Sequence, residues 1–531
     1  MSQRISRECP IRLMKARFVD EMVPLMRSPA QLIFCLLLTT TGGCGPADRS
    51  ATKGTQPRLV LLYATCTLGN HFLSPYNPNV KYTPNLERFA TRATVFEKHR
   101  TEAGLSGVAF ASIFTGTQAV HHGIFTHPAP LSDDLYDISE AFSDNGYETY
   151  WWNKHAMCNK SLNYGQGVTE SRHFNGMLGA EHPELAKVLE RLSTNKTKKA
   201  FLLTNFTVTH GPYRLDALEG FCRRFPEECR ILDELAPGEF DKYYNLYRRQ
   251  YHPLRYDFPN ARKLLKLTDQ DIRKLSDVLE LVFKSNIWKL DRLFGNLIAR
   301  IKRAGMMNDA LIIFTSDHGE TLYREHAPFK WCHGTALQSD VLNVPLIIQT
   351  PDPAIRPGRY SQVTRSTDVF PTVAALAELS LPKKVAWTGL DLSGVLKGQA
   401  EPPSLLAYSH SSMVSPAFRV KDVGAYRLSF YPDRDMSLTW VAVRDKDTVV
   451  KYKNQGEGRF DFEAYDLRAD QAEAHNLYDP TNEHHRELAD QLKQYKATLV
   501  DAYHLWLEQG NSENIDEEDT RKRLKSLGYI N

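Results

Sequence analysis

The chain has 531 residues, of which 42% are hydrophobic and 24% charged, proportions that exclude a disordered or fibrous polymer and allow a large buried core. Its formal net charge is only +3, and no basic stripe interleaved with aromatics runs along it, which argues against nucleic acid as a partner.

The N-terminal residues carry a targeting signal. Met26-Arg27 precedes the apolar run Leu32–Leu38 and then Thr-Thr-Thr-Gly-Gly-Cys44, a positive segment, a short apolar segment and small residues ahead of a cysteine. This resembles a bacterial lipoprotein signal in which Cys44 becomes the lipidated first residue, although Thr41 stands where leucine is usual. The run is too short for a stable membrane-spanning helix. Residues 1–44 are expected to be the signal/lipoprotein peptide, with Met26 a candidate start, and residues 45–57 a polar linker. The location implied is the bacterial cell envelope, lipid-anchored or, if Cys44 is unmodified, periplasmic or secreted. With Cys9 and Cys35 removed and Cys44 lipidated, Cys66, Cys158, Cys222, Cys229 and Cys332 remain, without zinc-ribbon spacing. Cys222 and Cys229 are candidates for a local disulfide in an oxidising compartment.

From Leu59 to Ala64 an apolar run of strand length leads to Cys66-Thr67. Residues 84–98 read as helical, a helical turn closes over Ser112–Gly116, and Ile138–Asn145 reads as a helix ending at Gly146 with a strand over Tyr147–Trp152. Phe201–Val208 is a third strand, followed by Thr209-His210-Gly211-Pro212-Tyr213. An amphipathic helix spans Asp269–Arg303, and Val344–Ile348 is a further strand. Between them lies Ala310-Leu-Ile-Ile-Phe-Thr-Ser-Asp317-His318-Gly319-Glu320, a buried strand whose carboxyl end delivers a carboxylate and an imidazole into a crevice. That pair suits a divalent cation.

Alternating strands and helices imply a mostly parallel, doubly wound α/β sheet over residues 58–404. Beyond about residue 405 the segments Ala425–Tyr431, Thr439–Val443 and Val449–Tyr452 mix apolar and polar residues as antiparallel strands do. Leu488, Leu492, Tyr495, Leu499 and Trp506 then fall on one helix face. Residues 405–531 are therefore expected to form a smaller C-terminal antiparallel sheet plus helix.

The ordered landmarks from residue 57 onward resemble those of the sulfatase family of the alkaline phosphatase superfamily. They include Tyr82-Thr-Pro-Asn-Leu, Phe114-Thr115-Gly116, His122-Gly123, Gly146-Tyr147, Thr209-His210-Gly-Pro, Phe314-Thr-Ser-Asp317-His318-Gly319-Glu320, His333-Gly334, Asp368-Val-Phe-Pro371, Tyr465-Asp466-Leu467 and Leu527-Gly-Tyr529. The resemblance implies an alkaline-phosphatase-like fold and a metal-dependent hydrolase of sulfate esters or phosphoesters. It assigns Asp317 and His318 to the metal and Ser106 to the nucleophile position, also a metal contact, at a helix start whose N–H groups suit a tetrahedral anion. It assigns His210 to protonating the leaving oxygen, Lys154 to neutralising charge on the transferred group, and His333 to a position that is lysine or histidine in relatives.

Three departures from the pattern stand out. Ser106-Gly107-Val108-Ala109-Phe110 occupies the place of the CxPxR or SxPxR motif; without its proline and arginine, formylglycine is not expected, and an unmodified Ser106 hydroxyl is the candidate nucleophile, which favours phosphoesters. Cys66 stands where relatives carry aspartates; as a thiolate ligand it would select zinc or iron over calcium or magnesium, and the alternative is that Cys66 is a spectator and the site has lost a ligand, with His71 a candidate to compensate. Lys154 and His155 are adjacent where sulfatases have one residue between the two, so Lys154 carries over better than His155.

The expected cofactor is one divalent metal ion: zinc, manganese, calcium or magnesium. The expected partner is a sulfated or phosphorylated small molecule or glycan. Two alternatives remain open at this point: a phosphoethanolamine- or phosphoglycerol-type transferase, and a non-catalytic binding protein on a decayed site.

Overall fold

A computed structural model describes residues 56–125, 128–153, 155, 157–173, 183–325, 330–334, 337–383, 385–411, 439–454 and 459–509. The signal segment with Cys44, Lys154 and the Ala425–Tyr431 strand lie outside the described residues. Among the described residues no helix is long and apolar enough to cross a membrane.

Eight strands form the main sheet: β1 (Leu59–Thr65), β2 (Thr94–Arg100), β3 (Glu148–Asn153), β4 (Glu170–His173), β5 (Ala200–Phe206), β6 (Ala310–Ser316), β7 (Leu346–Gln349) and β8 (Gly358–Arg365). Their order is β4-β3-β5-β1-β6-β7-β2-β8. All neighbouring pairs are parallel except those of β7, which runs antiparallel to both β6 and β2. The central strands are apolar throughout because both faces of the sheet are covered. Leu59, Leu61 and Tyr63 of β1 face one core, shared with the capped helix Asp269–Arg303. Val60, Leu62 and Ala64 face the other, shared with helices Ser106–Thr115 and Val369–Leu376. This is the period-two alternation of a strand expressed on both sides.

A second, antiparallel sheet has the order β12-β11-β10-β9, built from β9 (Leu406–His410), β10 (Val441–Asp445), β11 (Thr448–Asn454) and β12 (Phe460–Asp466). Helix Glu483–Glu508 buries Leu488, Leu492, Leu499 and Tyr503 in the core that also takes Val441, Val443 and Val450. The expected α/β class with a smaller antiparallel sheet is the class observed.

One local expectation fails. The helix expected over residues 84–98 ends at Ala90, and Thr94–Arg100 is a strand. The turn Thr91-Arg92-Ala93 separates them, and the β-branched and aromatic residues Thr94, Val95 and Phe96 pack better on a pleated surface, where Phe96 meets Tyr360 of β8.

Candidate active site

The site is assembled by register. Thr65 of β1 lies level with Phe206 of β5 and Ser316 of β6, so the next residues of all three strands emerge at one edge. The ladder continues past the strand ends: Cys66 N–H donates to Phe206 O at 2.9 Å and Asp317 N–H to Thr65 O at 3.1 Å. Thr209 Oγ1 donates to Cys66 O. Thr67 is held at φ +58°, a left-handed conformation uncommon for a β-branched residue, and its N–H donates to Asp317 Oδ1 at 3.2 Å. Gly319 is needed for closeness: a Cβ there would lie 2.0 Å from Asp340 O, where the chain donates Gly319 N–H to Val341 O at 2.7 Å.

Ser106 opens the wholly buried helix Ser106–Thr115, which has no side-chain cap at Leu105 and ends at Gly116 with φ +66°. Its first N–H groups therefore have no capping side chain. Ser106 Oγ is 3.2 Å from His318 Nε2 and 3.5 Å from Cys66 Sγ. His318 Nδ1 faces Gly319 O at 2.9 Å; a carbonyl only accepts, so Nδ1 carries the proton and Nε2 presents its lone pair to Ser106. Cys66, Ser106, Asp317 and His318 are all fully buried. Burial first, and the nearby Asp317 carboxylate second, push the Cys66 thiol well above its ordinary range.

His155 also arrives here, with Nε2 3.6 Å from Cys66 Sγ. Donor atoms of Cys66, His155 and Asp317 lie within 4.8 Å of one another. Asp317 Oδ1 accepts from Thr67 and His318 N–H, the latter at 2.7 Å. Asp317 Oδ2 is buried and accepts no hydrogen bond among the described residues, with His318 Nε2 3.5 Å away. A buried carboxylate oxygen without a donor beside sulfur and imidazole is what a divalent cation would complete. His71 is not part of this group; its ring packs on Phe72 and faces Asp340 at 3.9 Å.

The two remaining expected residues stand together on the other side of His318. The His333 ring is centred 4.5 Å from that of His318 and 5.1 Å from that of His210. Behind His333 stand Glu320 Oε1, 3.1 Å from Nδ1, and Arg255 Nη2, 3.2 Å from the same atom. Tyr213 OH donates to Glu320 Oε2 at 3.3 Å, and Arg255 Nε donates to Trp331 O at 2.5 Å. Burial raises the Glu320 carboxyl to about 7, opposed by the Arg255 guanidinium. Burial, reinforced by Arg255, lowers His210 well below its ordinary value, so its imidazole is neutral until negative charge enters.

Ser106, Cys66, Asp317, His318, His210 and His333 thus converge. His155, which the sequence ranks behind Lys154, joins them, and Glu320 and Arg255, to which the sequence gives no role, stand beside His333. Glu320 was visible as the last residue of the Asp317 motif. Arg255 had no such signal, because it comes from helix Tyr251–Tyr256 in the long helical segment between β5 and β6. Phe110, standing in place of the motif arginine, is buried and packs 5.4 Å from Phe114 and 6.0 Å from His155, centre to centre.

Known proteins share this geometry's frame. A family model described as Sulfatase matches residues 60–379, more than half of the chain. Choline-sulfatase of Rhizobium meliloti (strain 1021) is 27% identical over 312 residues, covering 54% of this chain and 56% of that relative. A solved structure described as a complex with its substrate D-glucosamine-2-N,6-O-disulfate superposes with TM-score 0.62 at 17% identity, covering 84% of this chain and 98% of that one. Phosphonate monoester hydrolase from Silicibacter pomeroyi superposes with TM-score 0.54 at 18% identity, covering 83% and 94%. With its strand-end site and a match over more than half its length, the chain belongs to the sulfatase family of the alkaline phosphatase superfamily.

Proposed function

We propose that this sulfatase-family hydrolase cleaves a phosphate or sulfate ester of a small molecule or glycan, with Ser106 as nucleophile. The observation that carries the proposal is the position of Ser106 Oγ, 3.2 Å from His318 Nε2 and 3.5 Å from Cys66 Sγ, at the uncapped start of a buried helix, where a cation held by those two groups would meet the attacking hydroxyl. In this reading Ser106 Oγ attacks the central atom of the ester after giving up its proton to solvent. The ester bond breaks, and the leaving oxygen takes a proton from His210, whose imidazolium form is favoured once a dianion enters beside it. Water then releases the group from Ser106. Asp317, His318 and Cys66 would hold a divalent cation, which when bound supplies charge stabilisation and lowers the pKa of the attacking hydroxyl.

Phosphate is preferred over sulfate. Phe110 leaves the site without the motif arginine, and Val108 removes the proline read by the modifying enzymes, so direct hydroxyl attack is the chemistry available. Glycans enter the proposal because the similar structure is a complex with a disulfated glucosamine as its substrate. An envelope location with a lipid at Cys44 belongs to the same proposal; the Cys222–Cys229 disulfide fits an oxidising compartment.

The test is a panel of aryl phosphate, phosphodiester, aryl sulfate and sulfated disaccharide substrates assayed with wild type and Ser106→Ala. Turnover should fall at least about 10³-fold in the variant while circular dichroism is unchanged, and mass spectrometry should find an unmodified serine at 106 in the resting enzyme. Activity retained by Ser106→Ala would remove the nucleophile. Ligand binding by wild type without turnover would favour the non-catalytic alternative.

A further inference from the structure

We infer that the metal site of this chain is a thiolate site, in which Cys66 Sγ, His318 Nε2 and Asp317 Oδ2 ligate a zinc-like cation and His155 hydrogen-bonds the sulfur. The inference deepens the proposed function, resting on the reading that Asp317 and His318 are the metal pair, and adds that Cys66 replaces hard oxygen ligands in substance as well as position.

Three atoms carry it. Asp317 Oδ1 is occupied by two backbone N–H donors, which turns the fully buried Oδ2, without a hydrogen-bond donor among the described residues, into the oxygen available for a cation. His318 is held by its Nδ1 contact with Gly319 O, the outer support that metal-binding imidazoles commonly have, so Nε2, 3.2 Å from Ser106 Oγ, is the nitrogen that carries the lone pair. Cys66 Sγ lies 3.9 Å from that nitrogen. Ser106 Oγ, 3.5 Å from the sulfur, is the fourth nearby atom, matching the ligand count of a zinc site.

His155 is near enough to be counted with the ligands, but its tautomer excludes it. Its Nδ1 accepts the backbone N–H of Met157 at 3.2 Å. The ring proton of the neutral imidazole must then sit on Nε2, the atom 3.6 Å from Cys66 Sγ. An N–H aimed at sulfur stabilises a thiolate and leaves no lone pair there for a metal. On binding, the S–metal bond forms as the thiol proton leaves to solvent. Calcium, which takes six to eight oxygens, finds a sulfur and a nitrogen here instead.

The test uses the full chain, stripped of metal and titrated with Co²⁺, without substrate. We expect one equivalent bound, a near-ultraviolet sulfur-to-cobalt charge-transfer band, and displacement of Co²⁺ by Zn²⁺ but not by excess Ca²⁺ or Mg²⁺. Cys66→Ser should abolish the band. Cys66→Asp, with an oxygen restored, should shift retention toward Ca²⁺ or Mg²⁺ in elemental analysis. His155→Ala should keep one equivalent and shift the band, because the sulfur loses its N–H donor. A cobalt complex without the band, equal retention of Ca²⁺ and Zn²⁺ by wild type, or no binding of any of these ions would overturn the inference; the wild-type spectrum decides even where a variant fails to fold. One equivalent of thiolate-bound metal without ester turnover would instead leave this site standing and sink the proposed hydrolysis.

Discussion

Glu102 offers a prediction whose size can be worked out. Its carboxylate is buried just beyond β2 and accepts hydrogen bonds from Ser112 Oγ at 2.8 Å, Ala119 N–H at 3.0 Å and Tyr495 OH at 3.1 Å. It therefore ties the helix that starts at Ser106 to the C-terminal helix. His122 Nε2 is 4.0 Å away, but burial holds His122 well below its ordinary value and His410 down to about 4, so neither supplies a positive charge at neutral pH. Burial consequently raises Glu102 from 4.5 to about 7, against the opposing pull of its hydrogen bonds.

Because the folded value is the higher one, the folded state holds the proton more tightly. The associated stability is complete below pH 4.5 and is lost as pH rises through about 7. The full swing is ~3 kcal/mol at 1.36 kcal/mol per unit, of which roughly 2–3 kcal/mol falls between pH 5 and pH 8. For a folded unit of roughly 450 residues unfolding cooperatively, that is about 3 °C in Tm. Differential scanning fluorimetry of wild type and Glu102→Gln across this range is the assay. The variant is expected to be the less stable at pH 5, where it disrupts a satisfied acceptor, and to close the gap by about 3 °C by pH 8. Parallel Tm profiles would mean that Glu102 does not titrate in this window and that the burial argument is wrong.

Two further predictions concern stability. Phe294→Ala removes a ring centred 5.1 Å from Tyr63 and 5.0 Å from both Phe89 and Phe314, and urea unfolding should register a loss of ~3–5 kcal/mol; a loss below about 1 kcal/mol would mean that the core under β1 relaxes freely. Lys451→Met strands Glu473, its buried partner at 2.7 Å, and should cost ~3–5 kcal/mol, whereas Lys451→Met/Glu473→Met should regain most of it; equal unfolding midpoints for the two variants would contradict a buried-charge penalty.

Much of the candidate site is legible in the amino-acid sequence. Asp317 and His318 announce themselves because an apolar strand that stops at two ligand-type residues has few other uses, and the order of short landmarks carried the family and its α/β fold. The boundary at Ala90 was not legible, because the turn Thr91-Arg92-Ala93 is weakly marked and the strand after it is stabilised by β8, more than 250 residues away. Arg255 was not legible because an arginine in a segment rich in charged residues looks like surface until its partners Glu320 and His333 are buried around it.

The sequence by itself determined the central strands β1, β5 and β6 and the residue types waiting at their ends, since those follow from local periodicity and from what a buried backbone tolerates. Only the tertiary structure decided which of those ends meet. The level register of β1, β5 and β6 brings residues as distant as Cys66 and Asp317 to one edge. Backbone partners such as Gly319 O and Met157 N–H then select which nitrogen of His318 and of His155 keeps a proton, because burial leaves each ring no solvent to choose otherwise.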